Sequence, residues 1–276
     1  MRIDAHQHFW LLKERQGGWP PPELAAIHRD FLPPDLQPLL EKAGISGTVL
    51  VQTMETSADT DFKLGLAEHN DFILGVVGWV DLKASDASDE IARHATHAKF
   101  KGVRPMLQDI SDVAWIDDPA LDAAVHALIE NDLVFDALVL PQHLPHLLSF
   151  ARRHPDLMIV IDHGAKPLIA SGHYSAWRAD MAALAALPNL HCKLSGLLTE
   201  RGEQKPQAVR PYAETILELF RPERVIWGSD WPVLRLGGDY QEWLDFCYDI
   251  VPSEAHDAVF GGNAQRFYRL ADSRIP

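Results

Sequence analysis

Apolar, β-branched runs bounded by turn residues recur along the whole chain, and eight can be counted, at 3–9, 45–54, 72–82, 99–107, 133–140, 157–163, 190–195 and 224–230. Such runs read as strands, and between most of them lies a segment with helical periodicity. SADTDFKLGLAEHN (57–70) opens with Ser57 as the expected N-cap and an acidic first turn. DDPALDAAVHALIEND (117–132) carries Pro119 near its start and places Leu121, Val125 and Leu128 on one face. Trp177, Met181, Leu184 and Leu187 repeat the stripe before Pro188 ends it. The stretches VLVQT, ILGVVGWV and LMIVID are continuously apolar, as parallel strands covered by helices tend to be. Eight strand and helix units in about 250 residues predict an α/β fold, a single (β/α)8 TIM barrel over 1–276. A doubly wound open sheet needs fewer strands, and no GxGxxG turn follows the first run. The longest connection, 10–32 with its GGWPPP stretch, is expected to fold over the barrel mouth.

Composition narrows the partners. The chain has 276 residues with 25 Lys+Arg against 39 Asp+Glu, a formal charge of −14, and no basic cluster. Nucleic acid and anionic membrane surfaces are therefore excluded as expected partners. Cys192 and Cys247 are far apart and form no CxxC, which fits a reducing compartment rather than a disulfide scaffold. The opening MRIDAHQHFW shows no leader pattern, and no apolar window is long enough to span a bilayer. The expectation is a soluble, cytoplasmic protein.

Chemistry in such barrels sits at the C-terminal ends of the strands. His6 and His8 close the first run, and their two-residue spacing turns both imidazoles to one side. Asp230 ends the last run in VIWGSDWP, where a shielded carboxylate can ligate a metal or accept a proton. His163 ends the sixth run in IVIDHGAKP; Asp162 beside it is expected to point the opposite way and act structurally. Taken singly, each is as well explained as a capped turn or a hydrogen-bonded core residue. Together they come from strands one, six and eight, and closure brings strands one and eight side by side. His6, His8, His163 and Asp230 form an N₃O set suited to one Zn²⁺ or Mn²⁺ with an open position, and equally to a metal-free acid–base cluster. No organic cofactor is implied.

Other mouth-facing candidates are Gln52, Trp79 and Arg104, the last able to donate a paired hydrogen bond to a carbonyl or a carboxylate. Lys166 is an alternative for that task. Lys193 on the seventh run must meet an acid, a substrate or solvent. Trp10, Trp19, Trp79 and Trp231 are candidate apolar walls against which a bound ring could stack. His94, His97, His126, His143, His146 and His154 fall on expected helices and are read as solvated. Cys192 and its neighbour His191 point to opposite faces, and no GxSxG elbow occurs, so covalent catalysis is disfavoured.

At this point the sequence resembles the amidohydrolase superfamily, through HxH on the first strand, His on the sixth and Asp on the eighth. More closely it resembles the sugar lactonase group that acts on L-fucono- and L-rhamnono-lactones, with the related 2-pyrone-4,6-dicarboxylate lactonase. The matching stretches are DAHQHFW (4–10), RDFLPPDLQPLL (29–40), VLVQT (49–53), VVGWVDL (76–82), FKGVRPMLQD (100–109), DHGAKP (162–167), CKLSGLLTE (192–200) and VIWGSDWPV (225–233). Within this pattern Arg29 fits a substrate-binding role better than His28 does. The resemblance implies hydrolysis of a small cyclic ester, with Asp230 as general base, by an enzyme of carbohydrate metabolism. It also implies a divalent metal that some members dispense with. The fifth run, LVFDALVL, lacks the Lys or Glu that bridges two metals in binuclear members. The alternatives on the same barrel are a metal-dependent decarboxylase, a dicarboxylate lactonase, and a non-catalytic sugar-acid binder.

Overall fold

A computed structural model of the chain describes residues 1–15 and 18–271. Gly17 of the GGWPPP stretch therefore lies outside the described residues. Each of the eight apolar runs contains a strand: β1 (Ile3–Gln7), β2 (Gly47–Val51), β3 (Ile73–Gly78), β4 (Phe100–Val103), β5 (Val134–Ala137), β6 (Ile159–Ile161), β7 (Leu190–Leu194) and β8 (Val225–Trp227). They form one parallel sheet in sequence order. A helix follows each strand: α1 (Pro33–Ala43), α2 (Ser57–Glu68), α3 (Ala87–Ala95), α4 (Asp122–Glu130), α5 (Leu144–Arg153), α6 (Ser175–Ala185), α7 (Arg210–Phe220) and α8 (Tyr240–Ile250). A short α9 (Asn263–Phe267) ends the fold. This is the (β/α)8 architecture that the alternation predicts. No helix among the described residues is long and apolar enough to cross a membrane.

Backbone hydrogen bonds close the sheet between its first and last strands. The Asp230 amide donates to the His6 carbonyl and the His8 amide to the Trp231 carbonyl, both at 2.8 Å. Gly228 makes this approach feasible, because a Cβ there would sit 2.7 Å from the His6 Cβ. Outside the sheet, one apolar layer packs strands against helices. Inside it, Ile3, Ala5, Val49, Val77, Val134, Val160 and Ile226 meet Phe267, Tyr268 and Leu270 of the C-terminal segment, which fill the base of the barrel. The mouth is left for polar residues.

Local differences from the sequence reading have identifiable causes. The N-cap of α2 is Thr56 rather than Ser57, because the Thr56 hydroxyl accepts from the Asp59 amide. Before α4 the chain makes a separate 3₁₀ turn, Pro119–Leu121, capped by Asp118. Leu187 falls beyond the end of α6, so only Trp177, Met181 and Leu184 of its stripe lie on the helix. His94, His143 and His154 are buried rather than solvated: His94 lies against Phe100, and His154 against Phe150 and Asp122.

Candidate active site

Both histidines of HxH reach the same centre, helped by an irregularity in β1. The four residues of β1 from Asp4 to Gln7 face only three of β2, Thr48 to Leu50, so the strand carries one extra residue. Ala5 therefore packs in the barrel interior while the next residue, His6, meets the inward groups of β6 and β7. At the other side of the centre the chain leaves β geometry abruptly. His163, Gly164, Ala165 and Lys166 all have φ between 46° and 63°, and Asp230 has φ 61°. Left-handed backbone is costly for residues with a Cβ and is maintained where the surroundings over-determine it. Here it also overturns one expectation. Asp162 and His163 are not on opposite faces, because the chain turns between them, and both side chains join the cluster around His6.

The cluster is compact. His6 Nε2 and His8 Nε2 are 3.2 Å apart, and His8 Nε2 lies 3.2 Å from Asp230 Oδ1. The same carboxylate oxygen is 3.7 Å from His6 Nε2 and 3.8 Å from His163 Nε2. Each outer histidine is oriented by its other nitrogen: His8 Nδ1 donates to the Val51 carbonyl at 2.9 Å, and His163 Nδ1 lies 2.9 Å from Ser195 Oγ. Gly196 gives His163 its room, since a Cβ there would stand 2.4 Å from Nδ1. Arg104 reaches across from the end of β4, donating from Nη1 to Asp162 Oδ2 at 3.2 Å and from Nη2 to the Gln52 carbonyl at 2.6 Å. Lys193 finds its acids: Nζ is 2.5 Å from Asp136 Oδ2 and 3.1 Å from Asp162 Oδ1. Tyr268 completes this lower layer by donating to Asp136.

Burial sets the charge state. It lowers the affinity of all three imidazoles for a proton, with His163 brought down to about 4. Burial alone would raise the Asp230 carboxyl, but the facing His163, His8 and His6 outweigh it and hold that group below the usual carboxylate range. At neutral pH the floor of the site is a carboxylate facing three neutral imidazoles. Burial pushes both thiols, Cys192 and Cys247, upward and leaves them protonated. Two triads, His6/His8/Asp230 and His6/Asp162/His163, each bring one ligand atom per residue within 4.8 Å of one another. The imidazole and carboxylate donors, with the Nδ1 atoms of His8 and His163 engaged behind them, match the needs of a single divalent ion.

Above the cluster opens a cavity of about 780 Å³. His8, Arg104, His163 and Asp230 form its floor, and Lys166 its flank. The first loop contributes Arg15 and Trp19, in keeping with a connection that folds over the mouth. Arg15 Nη2 donates to the Thr53 carbonyl at 2.9 Å, and its guanidinium carbon lies 5.4 Å from the Trp10 ring centroid and 4.9 Å from that of Trp19. Glu55, Gln108, Asp109 and Glu200 supply further polar groups, and Met54, Met106, Leu138 and Leu236 the apolar ones.

Some sequence candidates stand elsewhere. Gln52 is buried behind the cavity, where its amide donates to the Arg104 carbonyl at 2.7 Å; it fastens Arg104 rather than lining the mouth. Trp79 does not line the cavity, and its backbone is pinned by Thr60. Arg29 is exposed and pairs with Asp35 at 2.8 Å, with its guanidinium over Phe31, so it braces the start of α1. Trp231 packs against Phe9 and Phe31. Arg15 and Glu55 carry no motif in the sequence that separates them from ordinary loop residues, whereas Gln108, Asp109 and Glu200 close the stretches FKGVRPMLQD and CKLSGLLTE, which carry the family resemblance but do not single these residues out.

Comparison with known proteins places this geometry in a family. A family model described as Amidohydrolase matches residues 3–270. An L-fucono-1,5-lactonase of Burkholderia ambifaria is 54% identical over 278 residues, covering 98% of this chain and 96% of that protein. A second L-fucono-1,5-lactonase, from Burkholderia multivorans, is 35% identical over 297 residues, covering 100% of this chain and 99% of the other. The crystal structure of a Burkholderia multivorans amidohydrolase with bound zinc superposes with a TM-score of 0.92 at 35% identity, over 98% of this chain and 100% of that one.

Proposed function

We propose, from the premise that this chain belongs to the amidohydrolase family, that it hydrolyses a sugar-acid lactone of the L-fucono-1,5-lactone type. The substrate is a small molecule and the enzyme a carboxylic ester hydrolase. The observation that carries the mechanism is the Asp230 carboxylate at the floor of an open cavity, its Oδ1 lying 3.2, 3.7 and 3.8 Å from the Nε2 atoms of His8, His6 and His163. Asp230 takes a proton from water as the water oxygen attacks the lactone carbonyl. His8 and His163, oriented from behind by Val51 and Ser195, position that water. Arg104 and Lys166 face the carbonyl oxygen as it becomes an oxyanion. The proton on Asp230 then passes to the ring oxygen as the ester bond breaks, giving a hydroxy acid. A divalent ion, when bound, would be held by His6, His8 and Asp230 with His163 beside them, and supplies polarisation of the carbonyl.

The test is hydrolysis of L-fucono-1,5-lactone followed by acid release. The Asp230→Asn variant keeps the shape and loses the base, and its kcat falls about 10³-fold. Unchanged turnover in that variant removes Asp230 from the reaction. Absence of turnover by the wild-type protein on any aldonolactone defeats the substrate assignment itself.

A further inference from the structure

Asp4 is the one acid of β1, and its carboxylate turns outward to α8, away from the barrel interior where its neighbours Ile3 and Ala5 pack. The side chain is fully buried, and four uncharged donors satisfy it. The Ser229 amide reaches Oδ1 at 2.8 Å and the His6 amide at 3.2 Å. The Ser229 hydroxyl reaches Oδ2 at 2.6 Å and the Tyr240 hydroxyl at 3.0 Å. Burying a carboxylate is costly, so the use made of its bonds is informative. Two of the four go to Ser229, the residue directly before Asp230.

Ser229 passes the restraint on. While donating to Asp4, its hydroxyl accepts from the Trp231 amide at 2.9 Å, so both neighbours of Asp230 are fastened to one group. Its contact with the His6 carbonyl is longer, at 3.4 Å, and that carbonyl already accepts from the Asp230 amide at 2.8 Å. From α8, Trp243 Nε1 donates to the Gly228 carbonyl at 3.0 Å. Tyr240 and Trp243 both belong to that helix, which therefore grips the turn directly at Gly228 and through Asp4 at Ser229. Between these restraints stands Asp230 at φ 61°. A left-handed residue with a Cβ relaxes unless its surroundings hold it, and relaxation here would carry the carboxylate away from the imidazoles it faces.

We infer that Asp4 is a positioning residue for the general base: through Ser229, and braced by α8, it holds the 228–231 turn in the backbone conformation that aims the Asp230 carboxylate into the cavity. Asp4 itself does not line that cavity. The kinetic part of the inference rests on the proposed role of Asp230 in lactone hydrolysis. Its structural part concerns the turn alone and is read without turnover.

Ser229→Ala cuts the link between Asp4 and Trp231 and leaves the cavity lining in place. On L-fucono-1,5-lactone its kcat should fall about tenfold with KM within about twofold of wild type. Added to Asp230→Asn it should cost nothing further, because the group it positions is gone. Hydrogen exchange supplies the second readout. The Asp230 amide keeps its own acceptor in Ser229→Ala, yet should exchange about tenfold faster, while the Phe135 amide on β5, bonded to the Met158 carbonyl at 3.0 Å, keeps its wild-type rate. Tyr240→Phe removes one donor from Asp4 and should move kcat and the Asp230 amide the same way by about threefold, which serves where Ser229→Ala does not fold. Three outcomes overturn the inference and leave the lactonase reading standing: full kcat in Ser229→Ala while Asp230→Asn is impaired, an equal further loss in the Asp230→Asn background, or faster exchange shared by Phe135. A wild-type protein without turnover defeats the lactonase reading instead, and the Asp230 amide then decides whether Asp4 holds the turn.

Discussion

The floor and the rim of the cavity are built on different physics. Floor groups come from the ends of β1, β4, β6 and β8, are almost wholly buried, and each is held by partners from other strands. Arg104, for example, is fixed to Asp162 and to the Gln52 carbonyl, and Gln52 returns a bond to the Arg104 carbonyl. The rim comes from connections, and its polar groups are sparsely held. Glu200 faces the opening, and Arg15 is tied to the wall mainly through carbonyls and tryptophan faces. A rigid, desolvated floor suits groups that act on a developing charge, whose placement must be kept within fractions of an ångström. An adjustable rim suits groups that distinguish one sugar from another.

Substitutions on the two sides should separate accordingly. Arg104→Ala removes a floor cation and leaves Asp162 with less compensation, so kcat/KM should fall about 10²-fold or more, chiefly through kcat. A loss confined to KM would move Arg104 to the rim class. Arg15→Ala should raise KM about tenfold with kcat changed less than about twofold, as expected where binding is lost equally from ground and transition states. A kcat loss as large as that of Arg104→Ala would erase the distinction. Arg29→Ala breaks an exposed pair outside both regions, and steady-state constants should stay at wild-type values with unfolding free energy within about 0.5 kcal/mol. Weakened lactone use in that variant would restore Arg29 as a substrate contact.

The same division explains what the sequence discloses. The strand pattern is legible because buried parallel strands are continuously apolar, and HxH, DHG and GSD stand out as polar breaks at the ends of such runs. Lys193 and its need for an acid are legible from the cost of burying an ammonium. Strand alternation places Asp162 on the wrong face because β6 ends at Ile161 and the chain already turns left-handed at His163. Asp136 in LVFDALVL and Ser195 give no local signal of their own. Arg15, Glu55, Gln108 and Asp109 are loop residues whose convergence depends on three-dimensional closure. Trp79 and Gln52 sit near strand ends, as the mouth candidates do, yet their side chains do not line the cavity.

The seam that completes the barrel has a consequence for assembly. The two bonds that join the first strand to the last are made by the peptide groups of His6, His8, Asp230 and Trp231, so three of the four joints belong to the very residues proposed as the reactive centre. Chemistry therefore cannot arise in any partly wound intermediate, however well its other strands are arranged. Turnover is a stringent reporter of the ring having shut, and a nascent chain remains inert until its last strand has found its first.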